Sequence, residues 1–202
     1  DFTDVNNDAT RVEVNTISAE MAKVRDYVPP YAVMAHRGST FWAPEETESA
    51  WRWAREMGVD YLESDLQCTK DGVILANHDD NLKRTTNIEN VYSELVPATR
   101  KAFYMRHGMS EAEAEKLVEA DKASFRPYYA MSYMYEELLA LDAGSWFNET
   151  SIEQAREAFS EQHQYISALE DQIRYAEGKM LKRDVNGERI YTVTGTWNPD
   201  KP

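Results

Sequence analysis

A strand, a helix and a second strand follow one another between residues 32 and 69. The apolar residues 32–35 predict the first strand, and residues 47–57 carry helix signals that stop at Gly58. The sequence VDYLESDLQ follows at once and predicts the second strand. This order and spacing are typical of a parallel βαβ unit, so the chain is predicted to adopt an α/β fold.

Three apolar residues of the predicted helix over residues 47–57 share one face. Ala50, Ala54 and Met57 recur at helical spacing and form this stripe. A tight turn at residues 70–72 then leads to a further strand over 73–76.

The rest of the chain reads as mostly helical. Residues from about 92 to 129 are polar and helical. Helices are also predicted over residues 133–141 and 151–162. The domain assignment is an N-terminal arm and helix over residues 1–30 and one domain over 31–202.

Three local signals mark further element boundaries. Ser110 with Glu113 and Ser167 with Glu170 fit capping boxes, each opening a helix. Asn186-Gly187 lies between two strand-like runs and indicates a hairpin.

Composition excludes some functions and leaves others open. The formal net charge of −14 argues against nucleic acid as the main partner, because phosphate backbones are bound by basic surfaces. A small phosphate ester needs only a local cation. No run of about 18 apolar residues occurs, so no transmembrane segment is predicted. The polar start leaves the compartment open, with a secreted or periplasmic location favoured over a cytoplasmic one. Cys68, the single cysteine, is expected to be a buried, inert thiol.

Titratable residues cluster at the ends of the predicted strands. Glu63 and Asp65 fall on one face of the second strand, His36 and Arg37 end the first strand, and His78 ends the strand over residues 73–76. A solvated face would explain the Glu63/Asp65 pair alone. The ends of neighbouring parallel strands meet at one edge, however, and five such groups placed together predict a site.

The residue types at this edge suit cleavage of a P–O bond. His36 and His78 can act as general base and general acid, because imidazole titrates near neutrality. Glu63 and Asp65 offer the oxygen ligands that Ca²⁺ or Mg²⁺ prefers. Arg37 can bind a phosphate with two parallel hydrogen bonds.

The order of motifs resembles that of the glycerophosphodiester phosphodiesterases. The match covers about residues 31–180. Its motifs are His36-Arg37-Gly38, Pro44-Glu45-Glu46-Thr47, Glu63-x-Asp65, Thr69-Lys70-Asp71-Gly72, His78-Asp79, Arg84-Thr85-Thr86, Leu141-Asp142-Ala143-Gly144-Ser145-Trp146-Phe147 and Ile166-Ser167-Ala168-Leu169-Glu170.

This resemblance implies a TIM (β/α)8 barrel that hydrolyses glycerophosphodiesters to glycerol 3-phosphate and an alcohol, using one divalent cation. It implies that His36 and His78 are the acid–base pair, that Glu63 and Asp65 bind the metal, and that Arg37 contacts the substrate phosphate. It also implies that a glycerol hydroxyl attacks the phosphorus first.

Three features depart from the family pattern. The segment between Arg84-Thr85-Thr86 and Leu141-Asp142 is longer than a minimal family member needs, and we expect about residues 88–140 to form a helical cap inserted between barrel elements. The motif P-E-N-T reads P-E-E-T here, and a helix N-terminus tolerates the extra carboxylate of Glu46 well. A (β/α)8 barrel takes roughly 250 residues, so the chain is expected to supply about the amino-terminal half of the barrel. The third metal ligand would then lie beyond Pro202, and the missing half could be another chain. We expect this chain alone not to form a closed barrel.

Two alternative functions remain open at this point. The first is a catalytically silent protein that binds phosphodiester headgroups on the same scaffold. The intact pairs His36/His78 and Glu63/Asp65 weigh against it, since binding needs no proton carriers. The second is a related phospholipid headgroup diesterase, whose substrate choice the helical cap would set.

Overall fold

The computed structural model describes residues 31–150, 152–155, 164–184 and 189–193. Backbone contacts divide the chain into the units Asp1–Val33 and Met34–Pro202; the elements below belong to the second. Its strands are β1 (Met34–Ala35), β2 (Tyr61–Leu62), β3 (Leu66–Cys68), β4 (Ile74–Ala76), β5 (Lys179–Arg183) and β6 (Arg189–Val193). Its α-helices are α1 (Glu48–Met57), α2 (Ile88–Val91), α3 (Arg100–Arg106), α4 (Glu111–Ser124), α5 (Tyr135–Leu138), α6 (Trp146–Thr150) and α7 (Leu169–Ala176), with 3-10 turns at Ala130–Ser132 and Ile152–Gln154.

The βαβ unit is confirmed. β1 pairs in parallel with β2, Met34 opposite Tyr61 and Ala35 opposite Leu62. The helix α1 begins after Thr47, whose side-chain oxygen accepts the backbone N–H of Ala50. It ends at Gly58, which adopts the left-handed φ of 83° that glycine tolerates.

The buried face of α1 differs from the predicted stripe at its end. Ala50, Trp51 and Ala54 are fully buried, whereas Met57, which shares the predicted stripe with the two alanines, is 52% exposed. The reason is that Trp51 presents the larger apolar surface and packs against Tyr175, with ring centroids 5.7 Å apart. Residues 50, 51 and 54 then define the buried side, and Met57 lies beyond its edge.

The predicted second strand is two strands separated by residues 63–65. β2 ends at Leu62, and β3 pairs antiparallel with β4 across the turn at Gly72. Between them the Glu63 N–H donates to the Ala35 carbonyl at 3.1 Å, and the Asp65 carbonyl accepts from Asn77 N–H at 2.9 Å. The prediction of one continuous strand was therefore wrong. The backbone changes its hydrogen-bonding partner from β1 to β4 at the residues that carry the carboxylates.

Cys68 is exposed, which contradicts the expectation of a buried thiol. It lies opposite Ile74 in the β3–β4 hairpin, and Ile74 and Leu66 are also about half exposed. The two residues that follow Ile74 in β4, Leu75 and Ala76, are buried.

The segment after β4 is helical, as predicted, and shares its core with the strands. Ser110 and Glu113 form the predicted capping box of α4. The predicted helix over residues 133–141 is shorter and appears as α5. One apolar core joins β4, this helical segment and the start of α7: Leu75, Leu82, Ile88, Ala130, Tyr133, Tyr135, Leu138, Leu141, Ile166 and Ala168.

The capping of α7 is shifted by one residue from the prediction. The Asp171 carboxylate, which is fully buried, accepts the Ala168 N–H at 2.7 Å. The predicted pair Ser167/Glu170 was wrong, because Glu170 faces solvent and pairs with Arg189 at 3.2 Å. β5 and β6 form the predicted antiparallel hairpin. The turn Asn186-Gly187, most of the helix predicted over 151–162 and the arm over 1–30 lie outside the described residues.

Within the described ranges there are three two-stranded sheets, of which β1–β2 is the parallel one. These strands do not close into a barrel, and the division into a half-barrel with a helical cap stays a prediction. None of the helices in those ranges is both long and apolar enough to cross a bilayer.

Candidate active site

The turn after β1 brings the first site residues against α1. Arg37 has a left-handed φ of 55° and Gly38 one of 85°. A Cβ on Gly38 would lie 2.7 Å from the Ala50 Cβ, closer than carbon atoms pack. Ser39 N–H then donates to the Ala50 carbonyl at 2.9 Å. The glycine therefore lets the turn lie directly on α1, with His36 at its start.

His36, Glu63 and Asp65 converge as the strand ends predicted. One potential ligand atom from each lies within 4.8 Å of the other two. Ligands about 2.4 Å from one cation stand at most about 4.8 Å apart, so this spacing suits a shared ion. The carboxylates are half-buried and His36 is exposed. Two carboxylates fit a hard divalent cation, and the structure contains no ion.

Arg37 holds both carboxylates. Its backbone N–H donates to Glu63 Oε2 at 2.9 Å and its Nε to Asp65 Oδ2 at 2.8 Å, while Nη1 lies 3.4 Å from Glu45 Oε1. The guanidinium is thus engaged by carboxylates on the protein. Its predicted contact with a substrate phosphate stays a prediction.

His78 lies beside a second group of charges. Its Nδ1 is 2.5 Å from Asp79 Oδ1, and its backbone carbonyl accepts from Gln67 Nε2 at 3.0 Å. Arg84 Nε donates to Asp79 Oδ2 at 2.6 Å. The Arg84 guanidinium lowers the pKa of Asp79 to about 2, with His78 adding to the effect and burial opposing it. Asp79 is therefore a carboxylate at neutral pH, able to accept an Nδ1–H from His78.

Glu45 connects the two groups of charges. Its Oε1 lies 2.6 Å from Arg84 Nη2 and 3.4 Å from Arg37 Nη1. A continuous series of ion pairs thus runs from His78 through Asp79, Arg84 and Glu45 to Arg37 and its carboxylates. Sequence reasoning missed this role of Glu45 and Arg84, although both lie in motifs that it singled out.

Glu46 has an environment that the sequence did not reveal. It is 3% exposed, and its Oε1 accepts the Asp65 N–H at 2.8 Å while its Oε2 accepts the Ser64 hydroxyl at 2.6 Å. Burial raises the pKa of Glu46 to about 7, against these two hydrogen bonds. The explanation of Glu46 by the helix N-terminus was wrong, because its carboxylate contacts the residues beside the candidate cation ligands.

The site therefore combines a cation-type donor set, two imidazoles and partly buried ion pairs that fix their neighbours. Such an arrangement can neutralise an anionic substrate and move protons near neutral pH, which is the chemistry of a phosphodiesterase.

Comparison with known proteins gives the family. A model of the glycerophosphoryl diester phosphodiesterase family matches residues 36–197, and the chain belongs to this family. Membership supports a TIM-barrel-like fold for the domain and confirms the resemblance of the motifs.

Individual relatives match over shorter stretches. The chain is 32% identical over 123 residues to a glycerophosphodiester phosphodiesterase of Bacillus subtilis, covering 61% of this chain and 29% of that protein. It is 29% identical over 127 residues to the mouse glycerophosphoinositol inositolphosphodiesterase GDPD2, covering 63% and 18%. The chain thus spans less than a third of the length of these relatives.

The chain is also similar to a solved structure. A glycerophosphodiester phosphodiesterase from Agrobacterium tumefaciens is similar with a TM-score of 0.44 and 24% identity, covering 73% of this chain and 43% of that one.

Proposed function

We propose that the protein hydrolyses glycerophosphodiesters to glycerol 3-phosphate and an alcohol, with one divalent cation, Ca²⁺ or Mg²⁺. The observation that carries this proposal is the convergence of His36, Glu63 and Asp65 within 4.8 Å. These residues lie in the segment that matches the family and come from the ends of β1 and β2, where α/β enzymes form their sites.

Glu63 and Asp65 would hold the cation through carboxylate oxygens. A bound divalent cation supplies a Lewis acid that polarises a phosphoryl oxygen. Arg37 keeps both carboxylates oriented through its backbone N–H and its Nε. Its remaining guanidinium N–H groups would contact the substrate phosphate.

His36 and His78 would transfer the protons. One accepts the proton of the attacking glycerol hydroxyl, and the other donates a proton to the oxygen of the leaving alcohol. A water molecule then opens the resulting cyclic phosphate, and the two histidines exchange roles. Asp79 accepts the Nδ1–H of His78, which leaves Nε2 of that ring to face the substrate.

Steady-state hydrolysis of glycerophosphocholine by the full-length protein tests this proposal. We expect activity with Ca²⁺ or Mg²⁺ and none in excess EDTA. His36→Ala and His78→Ala should each lower kcat by roughly 10²–10⁴-fold without changing the circular dichroism spectrum, since a proton-transfer group is lost. His107→Ala is the matched control, because His107 is exposed on the helical segment and stacks on Phe103.

Several outcomes would contradict parts of the proposal. Full activity in EDTA removes the cation from the mechanism, and a fully active His36→Ala variant removes that histidine. Glycerophosphoinositol and glycerophosphoethanolamine belong in the same assay, because faster turnover of one of them assigns a different headgroup. Binding without turnover of any diester would instead establish a silent binding protein.

A further inference from the structure

Glu46 adopts a backbone conformation that its residue type disfavours. Its φ of 58° lies in the left-handed region, which glutamate rarely occupies and asparagine tolerates much better. Asparagine is also the residue at this place in the P-E-N-T motif that the chain resembles. The chain therefore carries a strained residue where an unstrained alternative exists.

The side chain of Glu46 adds a second unfavourable feature, a buried carboxylate. It is 3% exposed, and burial of a carboxylate is destabilising unless hydrogen bonds compensate. Both of its oxygens act as acceptors, one from the Asp65 N–H and one from the Ser64 hydroxyl. An asparagine side chain is one methylene shorter and carries one oxygen, so it cannot accept these two hydrogen bonds on separate oxygens as Glu46 does.

Both contacts fall on the segment that carries the cation ligands. Residues 63–65 lie between β2 and β3, where one backbone hydrogen bond at Glu63 and one at Asp65 continue the two ladders. Glu46 adds contacts to Ser64 and Asp65. Asp65 is a candidate ligand, and Ser64 lies between it and Glu63. Glu46 thus supports the short stretch in which a small displacement would separate the two carboxylates.

We propose that Glu46 is a positioning residue of the cation site. Together with its hydrogen-bond partner Ser64, Glu46 holds residues 63–65 in the geometry that binds the ion. This inference rests on the proposed function in that it requires a cation at Glu63 and Asp65. Under this inference, the glutamate that replaces the asparagine of the P-E-N-T motif increases the affinity for the ion and lowers the stability of the fold.

The Glu46→Asn variant tests this trade-off with two readouts on the full-length protein. Calorimetric titration with Ca²⁺ and Mg²⁺ should show affinity lowered roughly tenfold, since a hydrogen bond that orders the segment is lost. Thermal unfolding in EDTA should show Tm unchanged or raised by about 2–5 °C, because strain and a buried carboxylate are removed. A purely structural role for Glu46 would lower both quantities.

Three further variants sharpen the result. Glu46→Gln keeps the length of the side chain and one oxygen acceptor, and its amide can donate to the Ser64 hydroxyl oxygen, so its affinity should lie between those of the wild type and Glu46→Asn. Ser64→Ala should lower affinity, and adding it to Glu46→Asn should have little further effect. Glu48→Gln is the matched control, because Glu48 is partly buried but contacts Leu181 and Arg52 rather than residues 63–65; its affinity should equal that of the wild type.

The outcomes separate this inference from the proposed function. Wild-type affinity in Glu46→Asn overturns the inference and leaves the proposed function standing. A loss of both affinity and Tm in Glu46→Asn also overturns it, because Glu46 would then only support the fold. A wild-type protein that binds neither ion overturns the inference together with the cation in the proposed mechanism.

Discussion

A side chain added at a residue with left-handed φ can cause backbone strain and can also overpack its surroundings. Gly38 and Gly72 allow these two effects to be measured separately. Both have φ of 85°, but a Cβ on Gly38 would lie 2.7 Å from the Ala50 Cβ, whereas a Cβ on Gly72 meets nothing within 4 Å. We expect Gly72→Ala to lower the free energy of unfolding by about 1 kcal/mol through backbone strain alone. Gly38→Ala should lower it by about 3 kcal/mol or more, because overpacking adds to the strain.

Urea denaturation of the two variants measures this difference. Equal losses of stability would contradict the close packing of the turn against α1. A Gly38→Ala loss no larger than about 1 kcal/mol would show that the turn moves away from Ala50 easily.

At the same scale, the sequence pointed to residues of the candidate site where chemistry and position coincide. His36, Glu63 and Asp65 could be found because each is titratable and ends or follows a predicted strand. Glu46 could not be assigned its role, because its contacts depend on a left-handed backbone angle and on residues 18 and 19 positions away. The signal that pointed to it was the unusual second glutamate in P-E-E-T.

At the scale of the element, α1 carries a pH-sensitive residue in its first turn. Burial raises the pKa of Glu48 from 4.5 to about 7, Arg52 and a backbone contact with Leu181 oppose this, and Asp171 adds to it. Because the folded-state pKa lies above the unfolded one, the folded protein binds the proton more tightly between pH 4.5 and 7. The stabilisation is therefore complete below about pH 4.5 and is lost as pH rises to about 7.

Glu48→Gln should reduce the change in the free energy of unfolding with pH. Urea denaturation at pH 5 and pH 8 should show that the variant gains about 1–3 kcal/mol relative to the wild type over that interval. An unchanged difference between the two proteins at both pH values would show that Glu48 titrates normally in the folded state.

The boundaries of α1 were predictable because they depend on nearby residues. Thr47 and Gly58 act within a few positions, and both ends agree with the structure. The break between β2 and β3 was not predictable from alternation, since it depends on the pairing of distant segments. β2 bonds to β1 and β3 bonds to β4, and nothing in VDYLESDLQ records that change of partner.

At the scale of the whole molecule, the helical segment is part of the main core. Tyr133 and Leu138 from this segment pack in the same apolar cluster as Leu75 of β4 and Ile166. The family and the helical character of the segment followed from motifs and composition. Its integration into the core did not, because a polar helical insertion with one apolar side can equally form a separate lobe.

Arg100 is the charged residue on which this integration depends most directly. It is fully buried, and its guanidinium donates to Glu137, to Asp121 and to the Ser132 carbonyl, joining α3, α4 and α5. Asp121 also pairs with Lys70 in the β3–β4 turn at 2.8 Å. Arg100→Ala should lower the free energy of unfolding by about 3–5 kcal/mol, because the buried Glu137 and Asp121 carboxylates lose the guanidinium, although Asp121 keeps Lys70.

The position of the tryptophans makes this prediction a test of the whole fold. None of the five tryptophans lies between residues 88 and 140, so their fluorescence reports on the rest of the chain, whereas far-UV circular dichroism reports on all helices. If the helical segment shares the main core, Arg100→Ala shifts both urea midpoints together. Lys101 is an exposed neighbour of Arg100. Lys101→Ala should change the free energy of unfolding measured by either signal by no more than about 0.5 kcal/mol. A separate lobe would instead lose circular dichroism first and leave the tryptophan midpoint at its wild-type value, because breaking Arg100 would then unfold that lobe alone.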